Sequence, residues 1–303
     1  MEFGVQVRGD WDHVLEVAKW AEDRGVNSIA LPDHYLKSAD EPDEQAWDHL
    51  IHFAGLARET SLELVSLVSP VTFRHPGVLY KMAVTIDEIS NGRFTLGLGA
   101  GWMDKEFEVY GLPYPDLRTR MEMLEEAMAY LRAAITPGHH GFHGQHYQLE
   151  DFDPHPQPTN LRLMIGGAGR PKGRRIVGRY ADEYNLYARK PEVYKEVWQA
   201  TREEAVVAGR DPDSIKWTSA GPAVAAKKDS DYRRLLEAMA EKSGETTDRL
   251  EEIYEERAYP HGPGSKAAEM VAALEEAGCQ HYYPQIFLDD MTEFDVILDA
   301  YQG

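Results

Sequence analysis

The chain has 303 residues and a formal charge of −20, with 52 acidic against 32 basic side chains and a single cysteine, Cys279. That excess of acid argues against a nucleic-acid backbone or an anionic membrane as partner, and one thiol leaves no internal disulfide and no cysteine-built metal site. Hydrophobic residues make up 43% of the chain, enough for a real core, and no apolar run approaches the roughly 18 residues of a membrane span. The opening MEFGVQVRGDWDH turns acidic early and has neither the basic start nor the apolar run of a secretory leader, which predicts a cytoplasmic protein.

Taken in order, strand-like and helix-like runs alternate from end to end. FGVQV (3–7) leads into WDHVLEVAKWAEDRG, whose Val14, Val17, Ala18 and Ala21 recur at helical spacing before Gly25 stops it. Seven further strands follow: SIALPDH (28–34), LELVSLVSPV (62–71), RFTLGLGAG (93–101), LRLMIGGAG (161–169), DEYNLYA (182–188), WTSAGPAVA (217–225) and HYYPQIF (281–287). Helices are expected at 44–59, 76–90, 118–134, 172–181, 191–208, roughly 231–256 and 265–277. Eight strands, each followed by helical sequence, predict an α/β fold with a parallel sheet. The length suits one (β/α)₈ TIM barrel over 1–303, with an open doubly wound sheet as the competitor. Two connections are long enough to carry function, 35–43 and the polar stretch 135–160.

In a barrel the chemistry sits where strands end. The second strand ends on Asp33-His34, a candidate proton donor or acceptor with a carboxylate beside it. The third ends on Ser66-Leu67-Val68-Ser69-Pro70-Val71-Thr72, rich in small hydroxyls. The fourth carries Gly97, Gly99 and Gly101 and finishes on Trp102. Repeated glycine in a strand means either close backbone packing in a narrow barrel or a flat ligand lying on the strand end. The fifth ends in Gly166-Gly167-Ala168-Gly169-Arg170 and runs through Pro171 and Lys172 to Arg174 at a helix start, a good phosphate cradle. Neither glycine stretch has the dinucleotide spacing, which disfavours a nicotinamide fold. His139, His140, His143 and His146 lack interleaved carboxylates or cysteines, so no metal is expected there.

Four segments in this order, AEDRGVNSIALPDHY, LVSPVTFRHPGVLYKMAVTIDEISNGRFTLGLGAGWMDKEF, FHGQHYQLED and IGGAGRPKGRRIVGRYADEYN, resemble the luciferase-like monooxygenase superfamily. Within it they resemble the branch that uses the deazaflavin coenzyme F420. EMVAALEEAGCQHYYPQ resembles the family's last helix and strand. The resemblance implies a (β/α)₈ barrel with the cofactor ring across the strand ends, and hydride transfer to or from a small organic substrate under the loops at 35–43 and 103–117. His34 is then the proton-handling residue beside Asp33. Ser66, Leu67 and Ser69 touch the ring, Gly99 and Gly101 let it approach, and Trp102 closes that wall. Gly166, Gly167, Ala168 and Gly169 hold the cofactor phosphate, with Arg170 or Arg174 assisting. A non-prolyl cis peptide is implied at Ser66–Leu67, and a homodimer is the implied assembly. The sugar-phosphate dehydrogenase branch has a carboxylate where Trp102 stands, which puts that substrate in doubt. Two alternatives share these residues: an FMN-dependent monooxygenase fed by a separate reductase, and a barrel that keeps its cofactor without turnover. Tyr35, Trp47, Phe107 and Tyr110 suggest a partly apolar pocket.

Overall fold

The computed structural model describes residues 1–40, 43–44 and 46–303. Glu41 and Pro42 of the 35–43 loop, and Gln45 near the start of the expected helix 44–59, lie outside the described residues. Eight strands close a barrel: β1 (Glu2–Gln6), β2 (Ser28–Leu31), β3 (Glu63–Pro70), β4 (Phe94–Gly99), β5 (Arg162–Gly167), β6 (Glu183–Tyr187), β7 (Lys216–Pro222) and β8 (His281–Gln285). They neighbour one another in chain order, every pair is parallel, and β1 pairs with both β2 and β8. The closed barrel is therefore the architecture, and the open sheet is not.

Around it run α1 (Trp11–Asp23), α2 (His49–Glu59), α3 (Pro76–Ile89), α4 (Asp104–Tyr110), α5 (Leu117–Ile135), α6 (Pro171–Tyr180), α7 (Pro191–Val207), α8 (Asp229–Ser243), α9 (Thr247–Arg257), α10 (Lys266–Glu276) and α11 (Met291–Gln302). Local chemistry sets several starts. The Asp48 carboxylate accepts from the N–H groups of Leu50 and Ile51 at the head of α2. Proline begins α3 and α6, where its missing N–H costs nothing. The single helix expected over 231–256 is two, because Gly244 takes a positive φ of 72° and ends α8. Within 135–160 lies an antiparallel hairpin, His140–His143 with Gln148–Phe152. The Glu126 carboxylate on α5 grips its turn by accepting from the N–H groups of Gln145 and His146. No helix among the described residues is long and apolar enough to cross a membrane.

Alternation along each strand divides the apolar residues. Ile29, Leu64, Leu96, Leu98 and Leu163 belong to the large core shared with the helices, whereas Ala30, Val65, Leu67, Met164, Ala220 and Tyr283 pack together inside the barrel. One strand breaks the alternation. In β3, Ser66 pairs with Leu96 and Ser69 with Leu98, so three steps on β3 face two on β4, a bulge with one extra residue. Leu67 and Val68 both turn into the barrel there, and Val68 packs against the inner cluster. The Leu67–Val68 peptide is cis, one bond beyond the expected Ser66–Leu67, because Ser66 keeps its ladder partner and the regular strand breaks only after it.

The bulge also accounts for the glycines. A Cβ on Gly97 would stand 2.1 Å from the Ser66 carbonyl oxygen and 2.7 Å from a Val68 methyl. On Gly99 and on Gly166 it would stand 2.9 Å from Val68 methyls. Close packing against the bulge accounts for Gly97 and Gly99. Gly101 is required by conformation, at φ 76°. Gly97→Ala is expected to destabilise the fold by about 2–3 kcal/mol, since the obstacle is a carbonyl that cannot rotate away. Urea denaturation of the purified variant checks this.

Candidate active site

His34 follows β2 at the C-terminal mouth of the barrel. Its Nδ1 lies 3.1 Å from Oε1 of Glu106, which α4 delivers from above β4. Glu106 is only 1% exposed, and the same oxygen accepts from the backbone N–H groups of Tyr35 at 2.6 Å and Leu36 at 3.2 Å. One buried carboxylate therefore fixes both the loop after β2 and the ring it carries. With Nδ1–H donated to Glu106, the tautomer leaves the Nε2 lone pair free. His34 lines a cleft of about 1020 Å³ together with Leu31, Pro32, Trp47, His49 and Ile286 among others. Trp102, 70% exposed, stands edge-on to the His34 ring with centroids 5.6 Å apart.

Asp33 points elsewhere. It is 1% exposed, with Oδ1 3.1 Å from Nδ1 of His49 and Oδ2 bonded to the Arg74 guanidinium. Arg74 also donates to Asp48 at 2.6 Å. Burial alone would raise the Asp33 carboxyl, but His49 and Arg74 beside it hold it well below the usual carboxylate range. The same buried contact, against its own desolvation, pushes Arg74 up. The carboxylate that orients His34 is thus Glu106, and Asp33 is a buried anchor. The expectation for Ser66 and Ser69 changes in the same way. Both are buried, and their hydroxyls lie 2.9 and 3.2 Å from Nε2 of His49, on the α2 side of the strand. Leu67 faces inward, and its carbonyl accepts from Gln6 Nε2 at 3.1 Å. Gln6 is bonded in turn to Gln285, whose Oε1 accepts from the Tyr187 hydroxyl at 3.2 Å. This polar chain crosses the mouth from β3 through β1 and β8 to β6.

Across the barrel, Gly166 and Gly167 are half-buried, Ala168 is exposed, and Gly169 has φ 80° with its N–H donated to the Tyr184 hydroxyl at 3.0 Å. Arg174 donates to the Gly169 carbonyl at 3.1 Å and stitches the turn. Arg170 is exposed at the head of α6, whose first turn holds no acidic residue. Beside Gly173 a Cβ would meet only open space, and the Arg174 Nε is buried without a partner. Free helix N–H groups, nearby cations and an unused donor fit the phosphate of a flat cofactor. Of the four histidines singled out, His140 and His143 bond to Pro137 O and Gln148 within the hairpin. Among the described residues no group of three or more His, Cys, Asp or Glu is placed to hold a metal.

Of the aromatic residues expected to line a pocket, Tyr35 stacks on Phe73, Phe107 is buried, and Trp47 and Tyr110 are exposed. Sequence reading did not single out Glu106, His49, Arg74, Gln6, Gln285 or Tyr187. Glu106 had a visible signal, since it lies in the GLGAGWMDKEF segment only four residues after Trp102.

The sequence model of the luciferase-like monooxygenase family matches residues 3–282. The chain belongs to this family. It is 36% identical over 150 residues to the pyrimidine monooxygenase RutA of Pseudomonas syringae pv. syringae (strain B728a), a match spanning 47% of this chain and 41% of that protein. To the F420-dependent glucose-6-phosphate dehydrogenase of Amycolatopsis mediterranei (strain U-32) it is 27% identical over 230 residues, spanning 74% of this chain and 67% of that one. Among solved structures, an F420-dependent secondary alcohol dehydrogenase in complex with an F420-acetone adduct matches with a TM-score of 0.79 at 20% identity, over 100% of this chain and 99% of that one. The oxygenating constituent of 3,6-diketocamphane monooxygenase of Pseudomonas putida, in complex with FMN, matches with a TM-score of 0.70 at 17% identity, over 99% and 96%. At these identities the structural likeness is one of fold. Proteins that share this fold include one bound to an F420 adduct and one bound to FMN.

Proposed function

We propose that this chain is an F420-dependent oxidoreductase that moves a hydride between the deazaflavin and a small organic substrate in the cleft beside His34. The observation that carries the proposal is the His34–Glu106 pair, a histidine that lines the cleft with its Nδ1 held by a buried carboxylate. F420, when bound, supplies a carbon centre that carries two electrons as a hydride and reacts poorly with oxygen. The chain's part is to position and to manage a proton. Val68 and the turn Gly166–Gly169 would hold the ring side, and the head of α6 with Arg170 would hold the phosphate. His34 Nε2 takes the proton of a substrate hydroxyl in oxidation and returns it in reduction, while Glu106 stabilises the charged ring.

The higher identity to the pyrimidine monooxygenases favours a second reading, an FMN-dependent monooxygenase with a separate reductase, using the same mouth. Ile51 on α2 and Val78 on α3 are more than half exposed, and we extend the proposal to a homodimer built over that face. Light scattering is expected to give twice the chain mass.

The test of the activity is an anaerobic assay with oxidised F420 and a panel of secondary alcohols and sugar phosphates, followed by loss of the cofactor's visible absorbance. Bleaching with at least one substrate is expected. Oxygen uptake with FMN, a flavin reductase and a pyrimidine, without any F420 bleaching, would overturn the proposal in favour of the second reading. Tight F420 binding with no turnover on any substrate would overturn it in favour of a non-catalytic binder.

A further inference from the structure

Residues three apart on a regular strand point to opposite faces. Ser66 and Ser69 nevertheless point to the same face, and their hydroxyls converge on one atom, Nε2 of His49, while lying 3.3 Å from each other. The two residues between them are the ones that turn inward. Nothing in the strand ladder holds this stretch, because pairing with β4 is interrupted between Ser66 and Ser69. On the barrel side, Gly97, Gly99 and Gly166 leave room for Val68. The bulge is gripped from outside by His49 and from inside by Gln6 on the Leu67 carbonyl.

His49 is itself held. Its other nitrogen faces Asp33, its ring packs edge-on against Phe53 with centroids 5.6 Å apart, and it is 2% exposed. Asp33 is fixed by Arg74, and Arg74 also bonds Asp48, the cap of the helix that carries His49. The loop after β2, the start of α2, the bulge of β3 and the segment before α3 thus meet around a single ring, with His49 Nδ1 3.1 Å from Asp33 as an ion-pair contact rather than an aligned hydrogen bond.

We propose that His49 is a positioning residue of the site, which, by gathering the Ser66 and Ser69 hydroxyls on one nitrogen, sets how far Val68 stands into the barrel mouth. This rests on the reading of that mouth as the seat of a flat cofactor. A group at Val68 that moves by a fraction of an ångström changes the surface a ring must lie on, so the network acts on cofactor affinity through Val68.

The test uses the whole chain and two variants, Ser66→Ala with Ser69→Ala, and His49→Gln, whose side-chain NH2 sits as many bonds from the backbone as the histidine Nε2 and can donate to both hydroxyl oxygens. Two readouts are taken on protein shown to be folded by circular dichroism: the Kd of whichever cofactor the wild type binds, and the Val68 methyl signals in valine-labelled NMR spectra. The double serine variant is expected to bind about tenfold more weakly and to shift the Val68 methyls, and His49→Gln to keep most of the wild-type affinity and methyl positions. A folded double variant with wild-type methyl positions and wild-type Kd overturns the proposal. Should the wild type bind neither cofactor, the reading of the site has failed, and the methyl signals alone decide the clamp. Moved signals uphold it, and unmoved ones reject it.

Discussion

Arg74→Met is expected to destabilise the protein by about 3–5 kcal/mol, because it removes one partner of a buried ion pair and leaves the other charged. Asp33 is 1% exposed, and without Arg74 only His49 remains beside its charge. With an unfolding entropy of about 2.1 cal/mol/K per residue, that loss lowers Tm by about 5–8 °C. The pH dependence has a defined sign. Asp33 titrates lower in the folded protein than its ordinary 3.8, so it contributes stability above that value, and the contribution disappears as pH falls toward the folded pKa. Arg74→Met should therefore lose most at neutral pH and show a flatter acid limb than the wild type. Adding Asp33→Asn should recover part of the loss, since the uncompensated charge is then gone. Thermal melts from neutral pH down into the acid range below 3.8, where that carboxylate's contribution is lost, check all three statements.

His34→Ala is expected to cut turnover by about 10²–10⁴-fold with cofactor affinity unchanged, the scale of one lost general acid–base group. The ring makes no bond to the α6 cradle or to the bulge, so binding has no reason to change. Glu106→Gln should give a smaller loss. The amide still accepts from Tyr35 and Leu36 and so holds the loop, but it no longer favours the charged ring or one tautomer. A drop in affinity equal to the drop in turnover for His34→Ala would show that the ring binds rather than transfers a proton. Steady-state kinetics beside a cofactor titration separates the two.

The alternation of short β-branched runs with helical stretches was enough to locate all eight barrel strands, because parallel strands buried on both faces read as continuous apolar segments. Shorter and more polar pieces were not legible. The hairpin at His140–His143 and Gln148–Phe152 is rich in histidine and glutamine and is held by Glu126 from another element, and α11 follows the last strand that the pattern marks. At the site, His34 stood out because it ends a strand, and the glycines because they interrupt one. Their partners did not. Glu106 reaches His34 across 72 positions, and Asp33 was paired with its neighbour in sequence although its side chain turns to His49 and Arg74. The shared direction of Ser66 and Ser69 toward His49 was not legible for a single reason. A period of two assumes no extra residue, and the bulge inserts one.

The measurement that tests this account most directly is a titration of the purified apoprotein with F420 and, separately, with FMN, following the quenching of each cofactor's fluorescence. Saturable binding of F420 without binding of FMN is the predicted result. Binding of FMN alone would contradict it and place the chain among the flavin-dependent monooxygenases of its family.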